Sequence, residues 1–518
     1  MLRSLAHWPW LGARPVAWPA WLRLSLLGGL SVGVMWLGLV QPYNLFALRL
    51  LPLRSIPQLT ADRPLAQAGF VLTLAALSGL YYLAWRVCRP ALDLLGSAGP
   101  ASPSRRSVWV ALAGSLLALN GMMLWLYPIG AADVFDNIVR GRITAVHGGN
   151  PFYDLPSDYP RDRFRYYAAW PGATSAYGPL WEALAAGAAR LGGDDRLTTV
   201  LVFKGLGLLA YAGSAGLIAL ILRRRAPDRM LQGVCLFAWN PLVLYETAGN
   251  AHNDIFLAFF ILLAVWALQR RFFTLAVLGL VCGTLVKFIP VLLLPLALAY
   301  SLRRLTTGRA RLHFLASSAV VGAAVVVVTV APFWRGGDFF ALARRTTLFT
   351  ASLPAVAQVH LEPLLGRAAS QRSVAGLAAG LLVVVVAYQT GRVWRAPDWL
   401  APVRAATHVL LFYLLLACLW FQPWYTIWPL ALAALLPEGA VARTVVLLSY
   451  AAAWKAIFFD FFIYRGGPLP PAVWRETWLA PATLGLVWLY VAYRIGRRGG
   501  LARRRAAVHS SAPLGLKP

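Results

Sequence analysis

The chain has 518 residues, 59% of them hydrophobic and only 13% charged, with a mean hydropathy of +0.63. Soluble domains carry about a quarter charged residues, so a string of soluble domains is excluded and lipid must solvate most of the chain. The 48 Lys and Arg against 19 Asp and Glu leave a net charge of +29. Nucleic-acid binding would gather that charge on a polar domain, and the sequence holds no such domain.

Taken in order, fourteen apolar runs are long enough to be spans or buried helices: 22–40, 66–86, 108–128, 198–222, 230–247, 254–268, 272–286, 288–302, 311–333, 373–392, 405–421, 424–437, 441–460 and 475–493. The first is read as a retained span, because no small-x-small cleavage site follows it. Lys287 and Pro290 divide 272–302, which is read as a hairpin rather than one kinked helix. With the N-terminus in the cytoplasm, the alternating spans place 28 of the 48 basic residues and only four acids on the cytoplasmic side. That asymmetry is what the positive-inside rule expects, and it meets anionic headgroups on that face. Both termini are then cytoplasmic, with 494–518 as a disordered basic tail.

The two longest polar segments, 129–197 and 334–372, fall outside. The first holds eight acids: Asp133, Asp136, Asp154, Asp158, Asp162, Glu182, Asp194 and Asp195. Long loops of this kind are functional or disordered, and this one is too aromatic for disorder. From Pro179 its apolar residues take helical spacing, as an interfacial helix would. The four cysteines are far apart, which points to neither a disulfide framework nor a zinc site. Without a Cys/His ligand cluster, no metal or other cofactor is indicated.

Several residues are positioned to do chemistry. Asp133 and Asp136 share a helix face just after the third span, and a carboxylate at the membrane edge suits a general base. An N-cap at Asp133 and an ion pair from Asp136 to Arg140 explain the same residues without chemistry. In Gly249-Asn250-Ala251-His252-Asn253-Asp254, capping accounts for Asn253 and Asp254 but leaves His252, and Glu246 one turn earlier, unexplained. Ionisable groups at membrane depth cost roughly 2.5–3.5 kcal/mol. Lys287, Arg344 and Arg345 are available cations for a phosphate, or residues resting on lipid. Trp424 and Tyr425 read as an aromatic belt with Pro423 at a helix start, and Tyr177 to Trp181 as a turn before the interfacial helix.

In order along the chain stand Asp133, Gly141, His147-Gly148-Gly149-Asn150-Pro151-Phe152-Tyr153, Tyr177-Gly178-Pro179-Leu180-Trp181, His252-Asn253-Asp254, Lys287-Phe288-Ile289-Pro290 and Pro423-Trp424-Tyr425. Together they resemble the polytopic GT-C glycosyltransferases, and within them the polyprenyl-phosphate-mannose-dependent mannosyltransferases of the bacterial α-1,6-mannosyltransferase and glycosyltransferase family 87 type. The resemblance implies an all-α integral membrane protein with the GT-C fold, about 13–14 transmembrane helices and a long external loop bearing short interfacial helices. Residues 1–437 would form the catalytic module and 438–493 additional C-terminal spans.

It also implies an Asp base, carried onto Asp133 or Asp136, and transfer of a sugar from a polyprenyl-phosphate donor to a glycan or lipid acceptor. His252, Asn253, Asp254, Lys287, Arg344 and Arg345 would bind the donor, and Asn150, Tyr177, Trp181, Glu246, Trp424 and Tyr425 would line the substrate. Asp136 and Asn137 stand where the family pattern expects an aromatic residue. A transporter or flippase, or a non-catalytic scaffold, remains the alternative from another class; a transporter predicts ionisable residues near the midplane of repeated halves.

Overall fold

The computed structural model describes residues 18–49, 55–89, 103–336, 348–465 and 468–510. Among these the chain is helical throughout, and extended pairing is limited to two isolated bridges, Asn44 with Leu126 and Thr350 with Trp420. Eighteen helices organise it: α1 (Ala20–Val40), α2 (Pro64–Val87), α3 (Pro103–Leu124), α4 (Asp133–Ala145), α5 (Pro179–Gly192), α6 (Arg196–Arg225), α7 (Met230–Ala238), α8 (Pro241–Gly249), α9 (Asp254–Arg270), α10 (Phe273–Val286), α11 (Leu294–Arg304), α12 (Gly308–Val330), α13 (Leu353–Leu365), α14 (Arg367–Arg395), α15 (Ala401–Ala417), α16 (Ile427–Ala433), α17 (Ala440–Tyr464) and α18 (Ala472–Ser510).

Eight helices among the described residues are individually long and apolar enough to cross a membrane, and α8 with α9, bent by 117°, makes up to nine. Leu312, Val320, Val327 and Val328 of α12 and Leu377, Val383 and Val384 of α14 stand more than 60% exposed, a surface that water does not stabilise and lipid does. The chain is an all-α, multi-pass membrane protein.

The remaining apolar runs among the fourteen are short pieces packed inside the bundle. The run 424–437 becomes a 3-10 turn and the seven-residue α16, whose residues are all buried. The run 230–247 is cut at Asn240, whose side chain caps α8 by accepting from Leu242 and Val243 N–H, with Pro241 at the first helical position. Apolar composition marks burial as well as spanning, so short core helices read as spans in hydropathy.

At 272–302 the chain leaves the helix at Lys287 (φ −159°, ψ 134°), and Pro290 packs back to 3.0 Å from where a Gly283 side chain would begin. Residues seven apart in one continuous helix are separated by about 10 Å. The run is therefore two helices joined by a turn. The last helix runs to Ser510 and so takes in the first part of the basic segment after 493.

The long segment 129–197 is folded onto the bundle. α5 forms where the Pro179 signal predicts, but its buried residues, Trp181, Ala185, Ala188 and Ala189, include the face that packs on α4 rather than on lipid. Gly141 permits this, since a side chain there would begin 2.3 Å from the Ala185 carbonyl oxygen. Intramembrane Lys204 is accounted for as well: its ammonium donates to the carbonyls of Met123 (3.0 Å), Leu124 (3.2 Å) and Leu126 (2.5 Å) at the end of α3. These bonds satisfy the orphan carbonyls and fix where the chain turns toward Asp133.

Candidate active site

A cavity of about 620 Å³ opens between α4, the 155–177 loop, the turn at Lys287 and the 420–425 turn. Asp133 and Asp136 line it from the first turn of α4. Tyr177 and Lys287 come next, held together through backbone: Gly178 N–H donates to Val286 C=O at 2.9 Å, and a side chain at Gly178 would begin 2.2 Å from the Leu285 carbonyl oxygen. Only glycine fits there, so the Tyr-Gly-Pro signature is a docking point for the end of α10. Trp424 and Tyr425 complete the wall.

Asp133 Oδ2 accepts from the Tyr177 hydroxyl at 3.2 Å and lies 3.7 Å from His252 Nε2. His252 stacks on Trp424 with ring centres 3.9 Å apart, and its Nδ1 lies 3.0 Å from Glu246 Oε2. Glu246 accepts from Asn250 Nδ2 at 2.9 Å, and Asn250 Oδ1 accepts from Gly130 N–H at 3.1 Å, so the break between α8 and α9 is tied to the residues leading into α4. Ala251 at that break sits at φ +56°, a left-handed conformation that costs a non-glycine residue about 1–2 kcal/mol. Strain of this kind clusters at functional sites.

Lys287 donates to both carboxylate oxygens of fully buried Asp254 at 3.0 Å, and its ammonium lies 4.5 Å from the centre of the Tyr425 ring. Asp136 Oδ1 accepts from Trp170 N–H at 3.1 Å, and its other oxygen is buried with no close donor. Burial pushes its carboxyl up to about 6; Arg140 opposes that rise and Asp133 adds to it. The expected pairing of Asp136 with Arg140 reaches only this far, because Arg140 donates from Nη2 to the Ala173 carbonyl at 3.4 Å.

Other expected site residues fall outside the cavity. Asn150 is a tie: Nδ2 donates to Phe333 C=O at 2.7 Å and Oδ1 accepts from Phe152 N–H at 3.1 Å. Trp181 is buried, donates to Asn137 Oδ1 at 3.1 Å and packs on Phe256. Glu246, His252, Asn253 and Asp254 stand behind the cavity wall, and Asn253 is buried with neither amide atom partnered. Arg344 and Arg345 lie outside the described residues. The lining also includes residues that the motifs did not single out as site residues: Arg140, Trp170, Trp420 and Gln422. Arg140, one turn after Asp136, and Gln422, beside Pro423, were adjacent to motif residues and so within reach of the sequence.

Among the described residues no three His, Cys, Asp or Glu side chains are grouped to hold a metal ion. The arrangement instead offers carboxylates, aromatic faces and hydrogen-bond donors in one pocket, a set suited to a polyhydroxy ligand carrying an acidic group.

No curated protein matches the chain. Residues 50–303 match the family model described as MptA_B family, Alpha-(1->6)-mannopyranosyltransferase, N-terminal domain. That span carries Asp133, Asp136, Tyr177, His252, Asp254 and Lys287, whereas the 420–425 wall lies beyond it. The protein is thus a membrane mannosyltransferase, similar over residues 50–303 to the N-terminal domain of the alpha-(1->6)-mannopyranosyltransferase family.

Proposed function

We propose that the protein transfers mannose, or a similar hexose or pentose, from a polyprenyl-phosphate donor to a glycan or lipid acceptor, with inversion, on the outer face of the cytoplasmic membrane. One observation carries this reading: two carboxylates meet aromatic and cationic side chains from widely separated segments in a single cavity of about 620 Å³. The volume lies within the usual range for a small-molecule site, about 300–1,000 Å³.

The acceptor hydroxyl attacks the anomeric carbon of the donor sugar. Its proton passes to a carboxylate, the bond from that carbon to the phosphate oxygen breaks, and polyprenyl phosphate leaves with the electron pair. A single displacement inverts the anomeric centre and needs no metal. Asp133 is the favoured base: its side chain is 24% exposed, and Tyr177 orients one of its oxygens. Asp136 is far more enclosed. The asymmetry of basic residues supports an outward-facing site, with anionic lipids meeting the opposite face.

The test is transfer of labelled mannose from polyprenyl-phosphate mannose to a short mannoside by purified protein in nanodiscs. Asp133→Ala should lower kcat by about 10²–10⁴. Undiminished transfer by both Asp133→Ala and Asp136→Ala would overturn the base assignment, and failure of the wild type to use any lipid-phosphate sugar would overturn the donor.

A further inference from the structure

Among the described residues, the charged ones lining the cavity are Asp133, Asp136, Arg140 and Lys287. Lys287 meets the obvious need for a cation, yet its charge is already matched. It bonds both oxygens of a carboxylate that is 0% exposed, and the rings of Tyr425, Tyr177 and Trp428 surround its ammonium at 4.5–5.6 Å. A phosphate bound there would compete with Asp254, which has no solvent to retreat into.

Arg140 stands differently. A guanidinium carries five N–H donors, and this one makes a single bond of 3.4 Å while its Nε is buried without a partner. Among the described residues no carboxylate lies within ion-pair distance of it. One turn earlier Asp136 Oδ2 is also buried and unpartnered. Buried polar atoms are almost always bonded, and each orphan costs about 1–3 kcal/mol, more when charged. Arg140 and Asp136, oppositely charged on neighbouring turns, thus bring to one cavity wall hydrogen-bonding capacity that their neighbours leave unused.

The far wall adds a donor. Lys455 donates to Gln422 Oε1 at 3.0 Å, and an ammonium has no acceptor, so the oxygen end of this amide must face Lys455. The amide NH₂ is then the end left to the cavity that Gln422 lines. A guanidinium on one wall and an NH₂ backed by a buried ammonium on the other fit an oxygen-rich anion.

We propose that Arg140, with the Gln422 amide set by Lys455, forms the anion subsite of the cavity and takes the phosphate of the lipid donor, while Lys287 is a positioning residue for Asp254 and the aromatic wall. The proposal rests on the lipid-phosphate donor reading. As the bond from sugar to phosphate oxygen breaks, the electron pair arrives on a phosphate that Arg140 faces with its planar fork, so the interaction strengthens in the transition state.

The experiment compares wild type, Arg140→Gln, Arg140→Lys and Gln422→Glu in nanodiscs. It measures donor KM, acceptor KM, kcat, melting temperature, and binding of polyprenyl monophosphate and of inorganic phosphate. Gln422→Glu keeps an acceptor for Lys455 and replaces the cavity donor by a negative charge. Arg140→Gln and Gln422→Glu should each weaken donor KM and polyprenyl monophosphate binding at least about tenfold with acceptor KM little changed, and Arg140→Lys should recover part of the loss.

Inorganic phosphate that competes at millimolar concentration would assign the subsite to the headgroup alone. No competition would mean that the lipid tail is needed as well, and either result stands within the proposal. If Arg140→Gln does not fold, the Lys and Glu variants carry the test. Wild-type donor KM and polyprenyl monophosphate binding in folded Arg140→Gln and Gln422→Glu would overturn the subsite. If the wild type transfers nothing but binds polyprenyl monophosphate through Arg140, the subsite stands and the donor reading falls.

Discussion

Two arginines two residues apart on α4 lead different lives. Arg142 is fully engaged: Nε donates to Asp162 (2.9 Å to Oδ2), Nη1 to Gly193 C=O at 2.8 Å and Nη2 to Asp194 at 2.8 Å, with Phe164 under the guanidinium. Asp162 in turn pairs with His147 at 2.8 Å and accepts from Phe164 N–H at 2.8 Å. Arg140, about 200° around the helix at 100° per residue, has one long bond and an orphan Nε. The faces of one helix thus separate a closed ionic network that folds the segment 129–197 from an open one that faces the cavity. Arg142 spends its donors on folding the segment 129–197, whereas Arg140 lines the cavity with most of its donors unspent.

The largest effect should come from breaking the closed face. Arg142→Ala leaves Asp162 buried beside a single histidine and should destabilise the protein by about 3–5 kcal/mol in denaturation experiments. A loss under about 1 kcal/mol would erase the distinction between the faces. Lys287→Met tests the same logic at the cavity's far side, where Asp254 would be left buried and unpaired, at a cost of about 3 kcal/mol. Adding Asp254→Asn should restore most of that stability, and a double-mutant cycle measures the coupling.

The two faces should also answer pH with opposite sign. The Asp162 carboxyl is held below its ordinary value: burial pushes it up, but His147, the Phe164 N–H and Arg142 outweigh that. Its stabilisation is present above the ordinary carboxyl range and is lost as pH falls through the lowered folded value. Asp136, raised from 3.8 to about 6, does the reverse: the fold favours its protonated form, so stability from this group declines as pH rises from about 4 through 6. Asp136→Asn should therefore gain on the order of 1–3 kcal/mol at pH 8, with the gain vanishing near pH 4. Melting curves across that range check it, and a pH-independent difference would refute the burial of an ionised Asp136. Tyr177→Phe is the mildest probe: it removes one hydrogen bond to Asp133 of about 1 kcal/mol and should lower kcat/KM about fivefold. An unchanged kcat/KM would detach Tyr177 from the base.

Composition and periodicity were enough for a helical membrane protein, because the requirement that backbone be satisfied in lipid leaves few alternatives. They also brought Asp133, Lys287 and Trp424 under suspicion, since polar or aromatic residues at the ends of apolar runs are conspicuous there, whereas Tyr177 was singled out by the resemblance to the GT-C enzymes. The number of continuous spans was not legible, because buried short helices such as α16 share the composition of true spans. Nor were the roles of individual side chains. Asn150 and Trp181 sit in motifs as prominent as Tyr177, yet they spend their hydrogen bonds on Phe333 and Asn137. Whether Lys287 is a free cation depended on Asp254, 33 positions earlier, and how much of Arg140 is left for the cavity depended on Asp136 acting on its charge without bonding it. Sequence determines which groups a chain carries and how each segment meets lipid or water. Which of those groups remain unsatisfied, and so able to hold a substrate, is decided only when distant segments pack and claim each other's bonds.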